Sequence, residues 1–476
     1  MPSREPRSSE TVEAHNPRAM LAAALIAVAL FAVDLWMFYP GLVTYDSIRQ
    51  YEEALSGHYS DAHPPLMAAV WRVLHPLGDG ALPMLILDLA LYWGSFAALA
   101  IYCVRATGRW WASLGVLAGL FPFLLSFSGV IWKDVILAAA WGLSCALLLL
   151  SRQALGRPKL FWTLWLGAAF LLLFGSAMRH NAPPAAIVLA CALVFALPLD
   201  KKPRLAIFAC LAALAAIAVP LSSRFLQAED SGAMDNLIHW DLTGVSHFSG
   251  RDYRLEQPSV FAAHKLDCYS PRLFGGCELT AFPSHAEAVR RWRAAVTEQP
   301  LAYVEHRALV LSMLLRFGCV KCAPYVWQPD SQANSVGLRS VDNPARWLLG
   351  RVVIALADSP IGRPYVWLVA ALGLAAMLWR QRRTPSHSIL ALIVVSGVVY
   401  ALTYAVVAVT DEFRYIYWLI YSVVLVGAAW LFGSRGRLRG AVPWVLAPVL
   451  IVAAAQHLVR SNWPTDHIAP SMATNY

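Results

Sequence analysis

Residues 19–66 read AMLAAALIAVALFAVDLWMFYPGLVTYDSIRQYEEALSGHYSDAHPPL. The first twenty-one of these are apolar but for Asp34, which is the length needed to cross about 30 Å of hydrocarbon as a helix. The chain then turns abruptly polar: Asp46, Glu52 and Glu53 fall within eight positions, and His63-Pro64-Pro65 follows. A membrane span that opens directly onto a carboxylate-bearing loop frames the whole reading. Ile48, Tyr51 and Leu55 recur at helical spacing, so the loop is expected to begin as a short helix lying on the membrane surface. On that helix Asp46, Gln50 and Glu53 share a face. Asp46 could simply cap it, because Asp ahead of Ser-Ile-Arg is a good N-cap.

The rest of the chain is of the same kind. Of 476 residues, 58% are hydrophobic and only 14% charged, and the mean hydropathy is +0.53, outside the balance of soluble domains. Apolar windows predict eleven spans, at 19–39, 81–104, 111–129, 131–150, 160–177, 183–199, 205–221, 364–380, 387–409, 414–432 and 441–457. The fold class expected is therefore an all-α polytopic membrane protein. The formal charge of +9 is spread over short loops rather than gathered into one stripe, which argues against a nucleic-acid partner.

With the N-terminus inside, every short cytoplasmic connection carries a basic cluster, as the positive-inside rule demands. These are Arg105 and Arg109; Arg152, Arg157 and Lys159; Lys201, Lys202 and Arg204; Arg380, Arg382 and Arg383; and Arg435, Arg437 and Arg439. The short opposite-side connections carry one cation each: Lys133, Arg179 and Arg414. The expected organisation is a cytoplasmic tail (1–18), an N-terminal membrane module (19–221) with a first outer loop (40–80), an extracytoplasmic subdomain (222–362), C-terminal spans (363–457) and an outer tail (458–476). Within the subdomain, AEAVRRWRAAVTEQPLAYVEHRALVLSMLLRF is helical and amphipathic, interrupted at Pro300 and too charged to span.

Cysteine usage agrees with that sidedness. Cys103, Cys145, Cys191 and Cys210 fall in spans, whereas Cys268, Cys277, Cys319 and Cys322 all fall in the 222–362 segment. Four cysteines in an oxidising compartment predict two disulfides, Cys268 with Cys277 and Cys319 with Cys322 as the local pairing, with two other connectivities open. A redox or metal role for Cys319-Val-Lys-Cys322 is the alternative.

The sequence holds no GxGxxG, Walker loop or HExxH, so nucleotide chemistry has no visible foothold. What does recur is a polar corner at each outer turn: Asp46; Trp132-Lys133-Asp134; Arg179-His180-Asn181; and Asp411-Glu412 with Arg414. Ionisable groups at membrane depth are costly and face a cavity or a partner. Local ion pairs at helix ends are the bland reading of Lys133 with Asp134 and of Arg414 with Glu412. One shared site is the sharper one. Asp34 and Asp88, inside spans, read as hydrogen-bond partners between helices. A carboxylate at this level can take a proton from a hydroxyl or amine, while cations beside it hold a phosphate whose acyl part stays in the bilayer.

The run DSIRQYEEALSGHYSDAHPPL (46–66) resembles the first outer loop of GT-C fold glycosyltransferases, such as aminoarabinose transferases and protein O-mannosyltransferases. There an Asp follows the first span, then a helix with Tyr, a Gly, and a Pro-Pro-Leu element. The many spans, the outer segment ahead of the last ones and the late Arg414-Tyr415 are similar over nearly the whole chain. That resemblance implies an enzyme that moves a sugar from a polyprenyl-phosphate donor to a glycan, lipid or protein acceptor. It implies a multi-pass bacterial inner-membrane protein with its site on the periplasmic side. It makes Asp46 the base, gives Lys133, Arg179 and Arg414 the lipid phosphate, and lets Asp134 orient the acceptor. His63, Glu53, Asp61 and Tyr415 are further substrate-binding candidates. The paired Asp-Glu of many members is missing, because Ser47 follows Asp46. No metal ligand is assigned, and use of a divalent metal stays open. A transporter or flippase for a lipid-linked or anionic substrate is the competing expectation.

Overall fold

The computed structural model describes residues 16–255, 259–260, 268–272, 282–317, 326–381, 384–433 and 442–458. It begins with α1 (Pro17–Phe38), α2 (Tyr45–Ser56), α3 (Leu66–Leu74) and α4 (Leu82–Thr107). A 3-10 helix (Trp110–Leu120) and the single turn α5 (Pro122–Leu125) lead into α6 (Lys133–Gln153), α7 (Pro158–Ser176), α8 (Pro183–Phe195) and α9 (Lys201–Phe225). The next segment holds α10 (Ala233–Ser249), an antiparallel pair of two-residue strands β1 (Arg251–Asp252) and β2 (Ser259–Val260), α11 (His285–Glu298), α12 (Pro300–Leu315) and α13 (Pro344–Ala357). The chain finishes with α14 (Pro364–Arg380), α15 (Pro385–Val407), α16 (Tyr417–Gly433) and α17 (Ala447–Leu458).

The protein is an all-α polytopic membrane protein. Among the described residues seven helices are long and apolar enough to cross a bilayer, rather than the eleven expected. The differences have local causes. The 111–129 window is not one α-helix: Trp110–Leu120 winds as a 3-10 helix and Pro122 starts a new turn. At about 2.0 Å per residue the 3-10 form still reaches about 22 Å with eleven residues. α8 stops at 13 residues, three positions before Pro198, whose ring disfavours helix in the residue ahead of it. α14 is 17 residues long. The 441–457 window appears as a π-helical turn over Val442–Leu446 followed by α17.

α6 is the centre of the bundle: 89% of its apolar window is buried, against 17% for α9 and 28% for α1. Helices in lipid approach one another where small residues let them, since tails are as apolar as leucine. Gly142 on α6 lies under the Tyr421 ring, and Gly175 on α7 under Trp141. Asp34 bridges helices as expected, accepting from Trp93 Nε1 (2.9 Å) and from Ser128 Oγ (3.0 Å). Asp88 is fully buried with neither carboxylate oxygen hydrogen-bonded among the described residues.

One junction sets the position of the first loop. Gly129 sits so close to Phe38, the last residue of α1, that an added Cβ would lie 2.1 Å from the Phe38 ring. Beyond it Leu42 N–H donates to Gly129 O and Ile131 N–H donates to Leu42 O, each at 2.9 Å. The start of the first loop is thereby laid parallel to the strand-like entry of α6. Gly129→Ala is expected to cost about 3 kcal/mol or more, above ordinary overpacking because Phe38 cannot swing away. Thermal unfolding in detergent checks this; a melting temperature equal to that of the native chain would contradict it.

The described residues between α9 and α14 contact the end of the bundle that carries this junction. Glu229 N–H donates to Tyr59 O and Asp61 N–H to Glu229 O, Val43 N–H donates to Ser331 Oγ, and Arg307 Nη1 donates to Ala408 O at the end of α15 (2.8 Å). The stretch broken at Pro300 forms α11 and α12, of which α11 is the amphipathic one. Cys268 is disulfide-bonded, while Cys277, Cys319 and Cys322 lie outside the described residues. Cys103, Cys145, Cys191 and Cys210 are free.

Candidate active site

α2 begins two residues earlier than an Asp46 cap would allow. Thr44, extended, is the N-cap. Ser47 Oγ accepts from Thr44 N–H (3.3 Å) and donates to Ile131 O (2.6 Å), and Thr44 Oγ1 accepts from Trp132 Nε1 (2.7 Å). The capping serine and threonine therefore bind the helix start to the residues just ahead of Lys133. Asp46, relieved of capping, stands in the first turn with its carboxylate free to leave the helix. The face it shares with Gln50 and Glu53 turns inward: those two are buried, while Arg49 and Glu52 are exposed.

Three of the four corners meet at that carboxylate. Asp46 Oδ2 accepts from Lys133 Nζ (3.2 Å) and from Arg414 Nη1 (2.9 Å). His63 closes the group. Its Nδ1 lies 3.1 Å from Lys133 Nζ and its Nε2 is 3.6 Å from Asp46 Oδ1. Since an ammonium only donates, Nδ1 accepts and the ring proton sits on Nε2, facing the carboxylate. Arg414 also pairs through Nε with Glu412 and lies over the Trp132 ring, 4.7 Å from its centroid.

The fourth corner is adjacent. Arg179 Nε is 3.2 Å from Asp134 Oδ1, and its Nη2 donates to Tyr404 Oη (2.6 Å). Tyr404 and Tyr415 are stacked with centroids 4.6 Å apart. The Tyr415 ring has Arg179 at 5.2 Å and Arg414 at 5.8 Å, so it stands between the two guanidiniums as a shared cation–π partner.

Exposure grades across the cluster. The side chains of Asp46 and His63 keep 20% of their surface, against 4% for Lys133, 9% for Arg414 and 12% for Arg179. The carboxylate and the imidazole are the more accessible members of the cluster and the cations the more buried. Burial alone would raise Asp46, but Lys133, Arg414 and then His63 outweigh it and hold the carboxyl well below its usual range. Burial, with Lys133 next, pulls His63 down to about 3 despite Asp46, so the imidazole is neutral near pH 7.

That shift has a measurable sign. An unfolded imidazole takes a proton near pH 6.5 and the folded one only near 3, so between those values the unfolded chain binds more protons and stability falls on acidification. Asp46 adds its slope only as the pH falls to and below the unfolded value of 3.8, under the range in which His63 acts alone. His63→Gln is expected to flatten the loss of melting temperature between about pH 7 and about pH 4.5. A slope matching that of the native chain would contradict it.

The other candidates are elsewhere. Glu53 Oε1 accepts from Ser60 Oγ (2.6 Å) and holds the turn after α2. Asp61 Oδ1 accepts from the N–H and Oγ of Ser231, each at 2.7 Å, and ties the loop to the following segment. Both are tethers rather than members of the cluster. Asp411 pairs with Arg272 (2.6 Å). Among the described residues no three His, Cys, Asp or Glu side chains gather as a metal-binding set. Sequence reasoning missed Tyr404 and the Arg272 tie. It also missed the buried Arg307–Asp241 pair (2.6 Å) that backs Ala408; an arginine on an amphipathic helix carries no signal that it points inward.

The chain matches no family model and no curated protein. Among solved structures it is similar to an archaeal oligosaccharyltransferase, AglB from Archaeoglobus fulgidus, in complex with an inhibitory peptide and a dolichol-phosphate. The identity is 12% and the TM-score 0.37, over 93% of this chain and 55% of that one. The chain thus spans about half the length of that protein.

Proposed function

We propose that this protein is a membrane glycosyltransferase of the GT-C kind, which transfers a sugar from a polyprenyl-phosphate donor to a glycan, lipid or protein acceptor of the cell envelope. The observation that carries the reading is the meeting of Asp46 with Lys133 and Arg414, drawn from three separate turns, at a partly open point on one end of the bundle. An acceptor hydroxyl or amine would attack the anomeric carbon as Asp46 takes its proton. The sugar–phosphate oxygen would leave toward Lys133 and Arg414, with Arg179 and Tyr415 extending the seat. A single displacement inverts the anomeric centre.

The same reading sets the surroundings. This end of the bundle would face the periplasm of a bacterial inner membrane, with residues 222–362 forming an extracytoplasmic subdomain and 1–18 a cytoplasmic tail. The transporter reading draws on a different observation: two buried carboxylates, Asp34 and Asp88, lie in spans beside the interrupted stretch Trp110–Leu125, the kind of irregularity that lines transport paths. Purified protein given radiolabelled polyprenyl-phosphate sugars and candidate acceptors separates the two. Labelled acceptor supports the transferase; donor binding with no product under any pairing argues for the transporter.

A further inference from the structure

The Asp46 carboxylate and a phosphate would need the same partners. Lys133 and Arg414 both converge on one oxygen, Oδ2, at 3.2 and 2.9 Å. Both cations are nearly buried, and the Asp46 carboxylate is the more exposed partner of each pair. An anion arriving from solvent or from the lipid boundary therefore meets Asp46 before it meets either cation. The cluster is also balanced in charge: Lys133, Arg179 and Arg414 face Asp46, Asp134 and Glu412, and His63 is neutral. No cation in it waits unengaged for a ligand.

We infer that Asp46 holds the phosphate's seat in the empty protein, and that the donor phosphate displaces it from Lys133 and Arg414, so that donor binding is what releases the carboxylate to act on the acceptor. This rests on the lipid-phosphate reading above and adds the order of events to it. Charge is then conserved through the transfer without any external ion. A phosphodiester donor brings one negative charge. In the transfer the anomeric C–O bond to phosphate breaks with its electron pair left on the phosphate oxygen, and the acceptor O–C or N–C bond forms. The acceptor proton passes to Asp46. The lipid phosphate ends with two negative charges as Asp46 loses its own, so the total charge of the site stays constant while the cations take up the phosphate's second charge. The base and the leaving group share one pair of cations, and engagement of the phosphate turns the base on.

The consequence runs against the ordinary expectation for a substrate-site mutation. Asp46→Asn should bind the phosphate product more tightly, because the competitor for the cations has lost its charge. A short-chain isoprenyl monophosphate, titrated into the full chain in detergent at about pH 8 where it is a dianion, is expected to bind Asp46→Asn about tenfold tighter than the native chain, a difference of about 1.4 kcal/mol. The matching isoprenyl alcohol should bind both alike. Glu412→Gln, which relieves Arg414 but not Lys133, should gain less. Should Asp46→Asn fold poorly, Asp46→Ser removes the same charge in a smaller volume and reads the same quantity. Equal or weaker phosphate binding by the Asp46 variants, in a protein whose native chain binds phosphate and transfers sugar, overturns the competition and leaves the transferase reading standing. So does an equal gain in Glu412→Gln, which marks a general charge effect. Failure of both chains to bind the monophosphate removes the seat itself and both readings with it.

Discussion

Asp46→Asn is expected to lower sugar transfer by about 10²- to 10⁴-fold, the range that a positioned proton acceptor contributes, without weakening the donor. Asn fills the same volume and its amide oxygen can still accept from Lys133 or Arg414, so the first turn of α2 and its anchors at Thr44, Ser47 and Ile131 are undisturbed. What it cannot do is take a proton. The loss should therefore fall on kcat at saturating donor, with the donor KM no higher than native. Initial rates of labelled product over a range of donor concentrations separate these. A native kcat in the variant would remove Asp46 from the chemistry; a raised donor KM with native kcat would make it a binding group only.

The second large effect is at Arg414. Its guanidinium joins Asp46, Glu412, the Trp132 face and the Tyr415 ring. A preorganised donor aimed at developing charge is worth about 10²- to 10³-fold in rate, and Arg414→Ala is expected to cost at least that while weakening donor binding. Arg414→Lys should recover only part, since an ammonium keeps the charge but lacks the planar fork that reaches two carboxylates and stacks on Trp132. Stability has to be measured alongside, because removing one partner of a buried ion pair can itself cost about 3–5 kcal/mol. The discriminating pattern is a folded Arg414→Lys protein with low kcat. Native rates in Arg414→Lys would show that charge alone suffices and that the fork has no role.

How much of this could be read from the chain depends on what each signal measures. The apolar runs announce the long spans, because hydropathy is a property of the residues themselves and a bilayer imposes one length. They mislead at 111–129, where Gly115, Gly119 and Pro122 permit a 3-10 path that an apolar count cannot distinguish from an α-helix. The corner residues Asp46, Lys133, Arg179 and Arg414 were legible as a set, since the parity of the spans assigns them to one end. Which contacts they make was not. Nothing in the sequence says that Asp46 takes both Lys133 and Arg414 rather than leaving each to its neighbouring carboxylate, because that depends on the Leu42–Val130 register and on Thr44 rather than Asp46 capping α2. Glu53 and Asp61 stood as further substrate-binding candidates. Ser60 and Ser231 hydrogen-bond to them, and a serine seven residues off, or far along the chain, does not declare its partner.

The most direct test of the central claim, that this cluster exchanges a sugar between a lipid phosphate and an acceptor at one membrane face, uses sealed proteoliposomes with one orientation of the protein. The labelled polyprenyl-phosphate sugar is held in the bilayer, and an impermeant acceptor is supplied only on the side carrying the first loop. The account predicts labelled acceptor on that side and one lipid phosphate released for each sugar transferred. Label accumulating across the bilayer with the donor intact, or product formed only from acceptor on the opposite side, would contradict it.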